Sequence, residues 1–154
     1  MAFHVRRAVG SDASELALLE EQARSGVVDA RGGAALLAEQ PAVGDAHAWA
    51  AAIADVGRAV WVAMIDDVPV GLLELSLPAA AGGTSVVRQV FVRAEARELG
   101  FGDELLAQAI EATLAAGGAA IESHALPGDR DTKNLFERAG VTARKLIVAK
   151  RLAD

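Results

Sequence analysis

At 154 residues and 15.8 kDa the chain has room for one domain that buries about two thirds of its unfolded surface without staples. A hydrophobic share of 53% against 23% charged is globular composition, not disordered composition. A net charge of −6 and a pI near 5.1 exclude the basic footprint of a general nucleic-acid or membrane-surface binder.

The chain has no cysteine, which removes disulfides, a thiolate nucleophile and Cys-ligated zinc. Its imidazoles are His4, His47 and His124, and no pair of them has a metal-ligand spacing, so no metal is expected. No apolar run approaches ~18 residues and residues 1–7 lack a signal-peptide core, which sets the expectation of a soluble, cytoplasmic protein.

In chain order, residues 3–8 are β-prone and end at Gly10-Ser11-Asp12. Asp12 with Glu15 makes a capping-box pattern before Leu16, Leu19 and Ala23 at helical spacing. From 25 to 44 glycines and Pro41 punctuate one short helical piece, 34–39; the stretch reads equally as a mobile loop or a connector. Asp45 then caps an alanine-rich helix with an expected buried stripe of Trp49, Ile53 and Val56, ended by Gly57. The apolar runs 60–65 and 68–77 flank Asp66-Asp67 and predict a hairpin, with Pro69 tolerated near the start of its strand. Residues 78–84 are small and turn the chain into a strand carrying Val86, Val87, Val90, Phe91 and Val92.

That strand runs into Arg97-Glu98-Leu99-Gly100-Phe101-Gly102, followed by a helix opened by Asp103 and Glu104. Two glycines one residue apart before a helix let backbone approach a ligand and aim free N–H groups at it, while the helix dipole favours anions there. A nucleotide P-loop would need Gly-Lys-Ser/Thr, and a dinucleotide fingerprint a third glycine where Leu105 stands. The helix is expected to bury Leu106, Ile110 and Leu114 and to stop at Gly117-Gly118. Residues 119–125 then read as a strand parallel to the one before the turn. After a turn at 127–130, Asp131 is placed to cap a short helix to Ala139, and 143–152 close as a last β-prone run.

The spacing R-x-x-G-x-G after a strand resembles the coenzyme A signature of the GCN5-related N-acetyltransferases, the GNAT family. Residues 132–140 also look like that family's short helix before its final strands, and the element order matches throughout. The resemblance implies an α/β (α+β) fold of one domain over 1–154. In it a mixed, mostly antiparallel twisted sheet is flanked by helices, and a splayed parallel strand pair forms the coenzyme cleft. It also implies acetyl-CoA as acyl donor, with pantetheine along Val90, Phe91 and Val92. The pyrophosphate would lie on the turn of Arg97, Glu98, Leu99, Gly100, Phe101, Gly102 and Asp103, with Asn134 nearby. A homodimer through the apolar final strand is a further implication.

Three departures stand out. Glu98 and Leu99 occupy positions where glycine and a basic residue are common; the tyrosine used by many members as general acid maps onto Phe136; and Arg88 and Gln89 stand where some members carry a carboxylate base.

Attack of an alkylamine, pKa about 10, on a thioester requires loss of a proton. Glu122 and His124, two apart on the predicted strand beside the cleft, share a face and are the acid/base candidates; the alternative is a solvated strand end with no role. Glu74 alternates with Leu73 and Leu75 and is expected to face outward. A thiolate leaves easily, so the lost tyrosine need not end catalysis, and without cysteine the reaction would be direct attack by a primary amine in a ternary complex. The negative net charge suits a cationic acceptor. A catalytically weak acyl-CoA-binding or regulatory protein, and a small interaction module, remain open alternatives.

Overall fold

The alternation of the two central runs decides the architecture. In the computed structural model, which describes residues 1–153, β2 (Arg58–Ile65) and β3 (Val68–Ser76) form the predicted hairpin across Asp66-Asp67, with Asp66 at φ 51°. Along β2, Ala59, Trp61 and Ala63 pack into one core and Val60, Val62 and Met64 into the other, so both faces are buried under helices. The register slips between Ala63 and Met64, opposite Pro69 and Gly71, a bulge that accommodates a proline with no N–H to give.

Three more strands complete a sheet of order β1-β2-β3-β4-β5: β1 (Phe3–Arg7), β4 (Thr84–Val92) and β5 (Ala120–Glu122). All pairings are antiparallel except β4 with β5. On one face lie α1 (Ala13–Val27) and α3 (Ala46–Ala54), with α2 (Gly33–Glu39) joining them; on the other lie α4 (Phe101–Ala115) and α5 (Arg130–Arg138).

Several local expectations are corrected. Asp12 does not cap α1. Its carboxylate turns back to accept from Arg6 Nη1 (2.8 Å), Arg6 Nη2 (2.9 Å) and the Val9 N–H (2.7 Å), tying β1 to the start of α1. Hydrogen bonding from the Arg6 guanidinium holds the Asp12 carboxyl below the ordinary carboxylate range, and Asp12 in turn raises Arg6. Asp45 caps α3 as expected, accepting from the Ala48 N–H at 2.9 Å, and Trp49 is fully buried, but Val56 lies beyond the helix and is exposed. On α4 the buried stripe is Leu105, Leu106, Ala109 and Thr113, while Leu114 faces solvent, because the helix lies on its i, i+4 row from Phe101. α5 is capped by Asp129, whose Oδ1 accepts from the Thr132 N–H at 3.1 Å, and not by Asp131. β5 ends at Glu122, three residues short of expectation, and residues 143–152 form neither helix nor strand.

Candidate active site

β4 and β5 pair only through Thr84↔Ala120, Ser85↔Ile121 and Val86↔Glu122. Beneath that short ladder Thr113 Oγ1 lies 2.7 Å from Ser85 Oγ and 2.8 Å from the Ala109 carbonyl, which pins α4 under the two strands. The Ser123 hydroxyl donates to the Val87 carbonyl (3.0 Å) as the last tie; from there β4 runs on to Val92 with no strand on that edge. The splay opens a cleft of about 1820 Å3, well above the ~300–1,000 Å3 of a drug-sized site and large enough for an extended ligand and a second substrate.

A bulge shapes the middle of β4. Glu74 opposes Gln89 and Leu75 opposes Val87, so Arg88 is the extra residue, and Val87 and Val90 come onto the same face, packed on α4. Gln89 consequently points to the α1 side. Its Nε2 donates to Glu20 Oε2 (2.8 Å) and Glu74 Oε1 (3.0 Å). Both carboxylates are buried, at 3% and 5% exposure, and both line the cleft, so Glu74 faces inward and not outward as its alternation predicted. The carboxylates near Gln89 thus come from α1 and β3; the sequence had offered Glu74 as an outward-facing carboxylate and did not bring up Glu20.

At the far end of β4 lies the turn. Gly100 has φ 87° and caps α4; the first turn closes with the Glu104 N–H on the Gly100 carbonyl at 3.1 Å. The N–H groups of Phe101, Gly102 and Asp103 therefore have no intrahelical acceptor. Phe101 is buried against the sheet and meets Phe3 edge-on at 5.8 Å, which anchors the turn. Arg97 Nε donates back to the Val92 carbonyl (3.0 Å), and Arg138 Nε binds Asp103 Oδ1 (2.9 Å), tying α5 to the start of α4. Val90, Phe91, Val92, Arg97, Glu98, Gly100, Phe101, Gly102, Asp103 and Asn134 all line the cleft; of the proposed turn residues Leu99 does not. Phe136 is buried in the core between α4 and α5 and does not line the cleft.

The acid/base candidates separate. The strand stops at Glu122, so alternation no longer holds Glu122 and His124 on one face. Glu122 is exposed and pairs with Arg144 at 3.2 Å, whereas His124 is half-buried, lines the cleft and has Nδ1 3.4 Å from Gln40 Nε2. Burial pushes the His124 imidazole below its ordinary value near 6.5, against a smaller upward pull from Glu39.

Gln40 belongs to the α2–α3 connector, which α1 clamps. Arg24 donates to the carbonyls of Gln40 (2.7 Å) and Leu37 (3.2 Å), and Glu20 accepts the N–H groups of Val43 (2.9 Å) and Gly44 (3.0 Å). Sequence reasoning missed this clamp, although Glu20 and Arg24 stand at i and i+4. Among the described residues no cluster of His, Asp or Glu could hold a metal, and no helix is long and apolar enough to cross a membrane.

No curated protein matches the chain. Among solved structures, a point mutant of the BH1408 protein from Bacillus halodurans has TM-score 0.79 and 19% identity, covering 97% of this chain and 99% of that one. AAC(6')-Iy in complex with a bisubstrate analogue built on CoA gives 0.70 and 17%, over 98% and 99%. A ribosomal-protein-alanine N-acetyltransferase from Brucella melitensis gives 0.65 and 18%, over the full length of both. At such identities these likenesses speak for a shared fold. The sequence pattern described as "Acetyltransferase (GNAT) family" matches residues 29–141, the greater part of the chain, and with the splayed β4–β5 pair and the glycine turn this makes the chain a member of the GNAT acetyltransferase family.

Proposed function

We propose that the protein is an acyl-CoA-dependent N-acetyltransferase that carries acetyl from acetyl-CoA to a primary amine. The observation that carries this reading is the edge of β4 beyond the Ser123–Val87 tie, which no strand pairs, leading to a turn in which the N–H groups of Phe101, Gly102 and Asp103 are unused. Pantetheine pairs with Val90, Phe91 and Val92 as an added strand, and the pyrophosphate sits on the turn of Arg97, Glu98, Leu99, Gly100, Phe101, Gly102 and Asp103, with Asn134 from α5 beside it. Backbone N–H near Val90 supports the thioester carbonyl oxygen as charge develops.

The amine nitrogen attacks the thioester carbonyl carbon and the C–S bond breaks. His124 takes the amine proton, and water protonates the departing thiolate, whose pKa of about 8.5 makes it an easy leaving group. Gln40 faces Nδ1, which leaves Nε2 as the base; the proton then resides on Nδ1, accepted by the Gln40 amide oxygen after a half rotation of the amide. Glu122, outside the cleft, acts as a brace for Arg144 and only indirectly on turnover. The buried carboxylate of Glu20 and the net charge of −6 suit a cationic acceptor, whereas Glu74 is already paired with Arg58 at 3.5 Å. A weak or regulatory acyl-CoA binder is the second reading, favoured by Phe136 in the core where a tyrosine would have offered a proton.

Calorimetric titration with acetyl-CoA and thiol release with a panel of amines test both readings. Binding with amine-dependent thiol release is expected; binding without release for any amine leaves the regulatory reading, and no binding overturns both.

A further inference from the structure

We propose that the amine this protein accepts also carries a carboxylate, as an amino acid does, and that Arg88 is the residue that binds it. The inference rests on the acyl-transfer reading for the direction of the cleft. With the pyrophosphate on the turn after β4 and pantetheine along Val92 to Val90, the thioester end points back along β4 toward Gln89 and Arg88, so the acceptor enters there. Among the described residues five arginines line the cleft, and four of them are accounted for. Arg97 and Arg138 stand at the turn, the end taken by the phosphates. Arg24 has both terminal nitrogens on the carbonyls of Gln40 and Leu37, and Arg58 lies between two carboxylates, Asp55 at 3.6 Å and Glu74 at 3.5 Å.

Arg88 differs. It is exposed, its Nε donates to Ser76 Oγ at 2.9 Å, and among the described residues it has no ion pair. That bond fixes one edge of the guanidinium and leaves Nη1 and Nη2 free, the parallel donors that a carboxylate meets with both oxygens. The bulge in β4 sets where this fork lies. Ser76 alternates with Leu75, which packs on the α4 side, so Ser76 and the guanidinium bound to it lie on the α1 side, with Gln89. Val87, just before Arg88, accepts from the Ser123 hydroxyl at 3.0 Å, and His124 follows Ser123. Arg88 and His124 therefore stand one residue beyond the same tie, on opposite walls of the splay. Glu39 supplies the opposite charge. It is exposed, lines the cleft, lies near enough to His124 to pull its imidazole upward, and has no hydrogen-bond or ion-pair partner among the described residues. An acceptor with an ammonium toward Glu39 and His124 and a carboxylate toward Arg88 matches both charges.

The test is thiol release from acetyl-CoA with a panel of free amino acids, each set beside its carboxamide, which keeps the amine and removes the anion. For the preferred compound kcat/KM is expected to be at least tenfold higher for the acid than for the amide. Arg88→Gln should lower that ratio about tenfold, mainly through the acceptor KM, while acetyl-CoA affinity stays near the parent value. A parent that uses the amides as well as the acids, or a ratio unchanged by Arg88→Gln, would overturn the assignment. If no amine gives thiol release, the transfer reading fails by itself, and the anion site is read by calorimetric titration of N-acetyl amino acids and their amides into the protein with CoA present. Binding of the acid that weakens about tenfold in Arg88→Gln would uphold the site, whereas equal or absent binding of acid and amide would sink it.

Discussion

His124 has an unusual position for a residue so close to the end of a strand: one residue beyond the Ser123–Val87 tie, it is half-buried and its imidazole is harder to protonate than in water. Its neutral form therefore persists below pH 6.5. With His124 as base, kcat/KM for a verified amine should rise with pH through an inflection below that value, and His124→Gln should remove the inflection and lower turnover by about 10²- to 10⁴-fold. Glu122→Gln should leave both nearly unchanged, because Glu122 faces Arg144 and not the cleft. If His124→Gln keeps the parent pH–rate profile, the proton goes to solvent or another group. A second residue-scale test concerns Asp12. Asp12→Ala removes three hydrogen bonds to a buried carboxylate and should cost about 2 kcal/mol in urea unfolding, the net worth of hydrogen bonds to a charged group.

At the scale of elements, two devices assemble the site. One is the start of α4. Gly100 sits at φ 87°, where any other L-residue is strained by roughly 1–2 kcal/mol. Gly102 has ordinary backbone, and a Cβ there would come within 3.3 Å of Leu135 Cδ1, a contact the leucine can relieve by turning. Gly102→Val should therefore fold but obstruct the approach of a pyrophosphate, weakening acetyl-CoA binding at least tenfold by calorimetry; an unchanged titration would place the coenzyme elsewhere. The other device is the clamp of α1 on the α2–α3 connector. Glu20→Ala releases Val43, Gly44 and Gln89 together, which leaves Arg24 as the remaining tie of the connector that carries Gln40 beside His124. The acceptor KM and the pH–rate inflection should both shift while acetyl-CoA affinity stays near the parent value; a loss of coenzyme affinity instead would mean that the connector supports β4.

Across the whole molecule, titration and folding are linked through two groups of opposite kind. Asp12 is depressed in the folded state, so its contribution is present above the unfolded value of about 3.9 and is lost as pH falls through the lower folded value. His124 is also depressed, but as a base: below about 6.5 the unfolded chain takes up a proton that the folded chain refuses, so stability declines as pH drops from 6.5 toward the folded value and then levels. Chemical denaturation from pH 7 to 5 should show that slope, and His124→Gln should flatten it while leaving the steeper loss below pH 4 intact. A slope unchanged by the substitution would assign it to other groups.

The sequence by itself determined the element order from β1 to α5, the hairpin at Asp66-Asp67, the cap at Asp45 and the glycine turn. Each depends on neighbours a few residues apart, where periodicity, turn chemistry and backbone freedom act without regard to the rest of the chain. Phe136 in the core with Leu105 and Leu106 of α4, Glu74 and Glu20 turned inward and Glu122 turned out were decided by tertiary structure. In each case the outcome rests on a contact between distant segments. The Arg88 bulge aims Gln89 at two carboxylates from other elements, and the early end of β5 at Glu122 lets the chain twist before His124, so a two-residue alternation ceases to predict a shared face. Residues 143–152 show the same limit in another form. Their β propensity is plain in the sequence, but a strand forms only where a partner edge is offered, and within one chain none is taken.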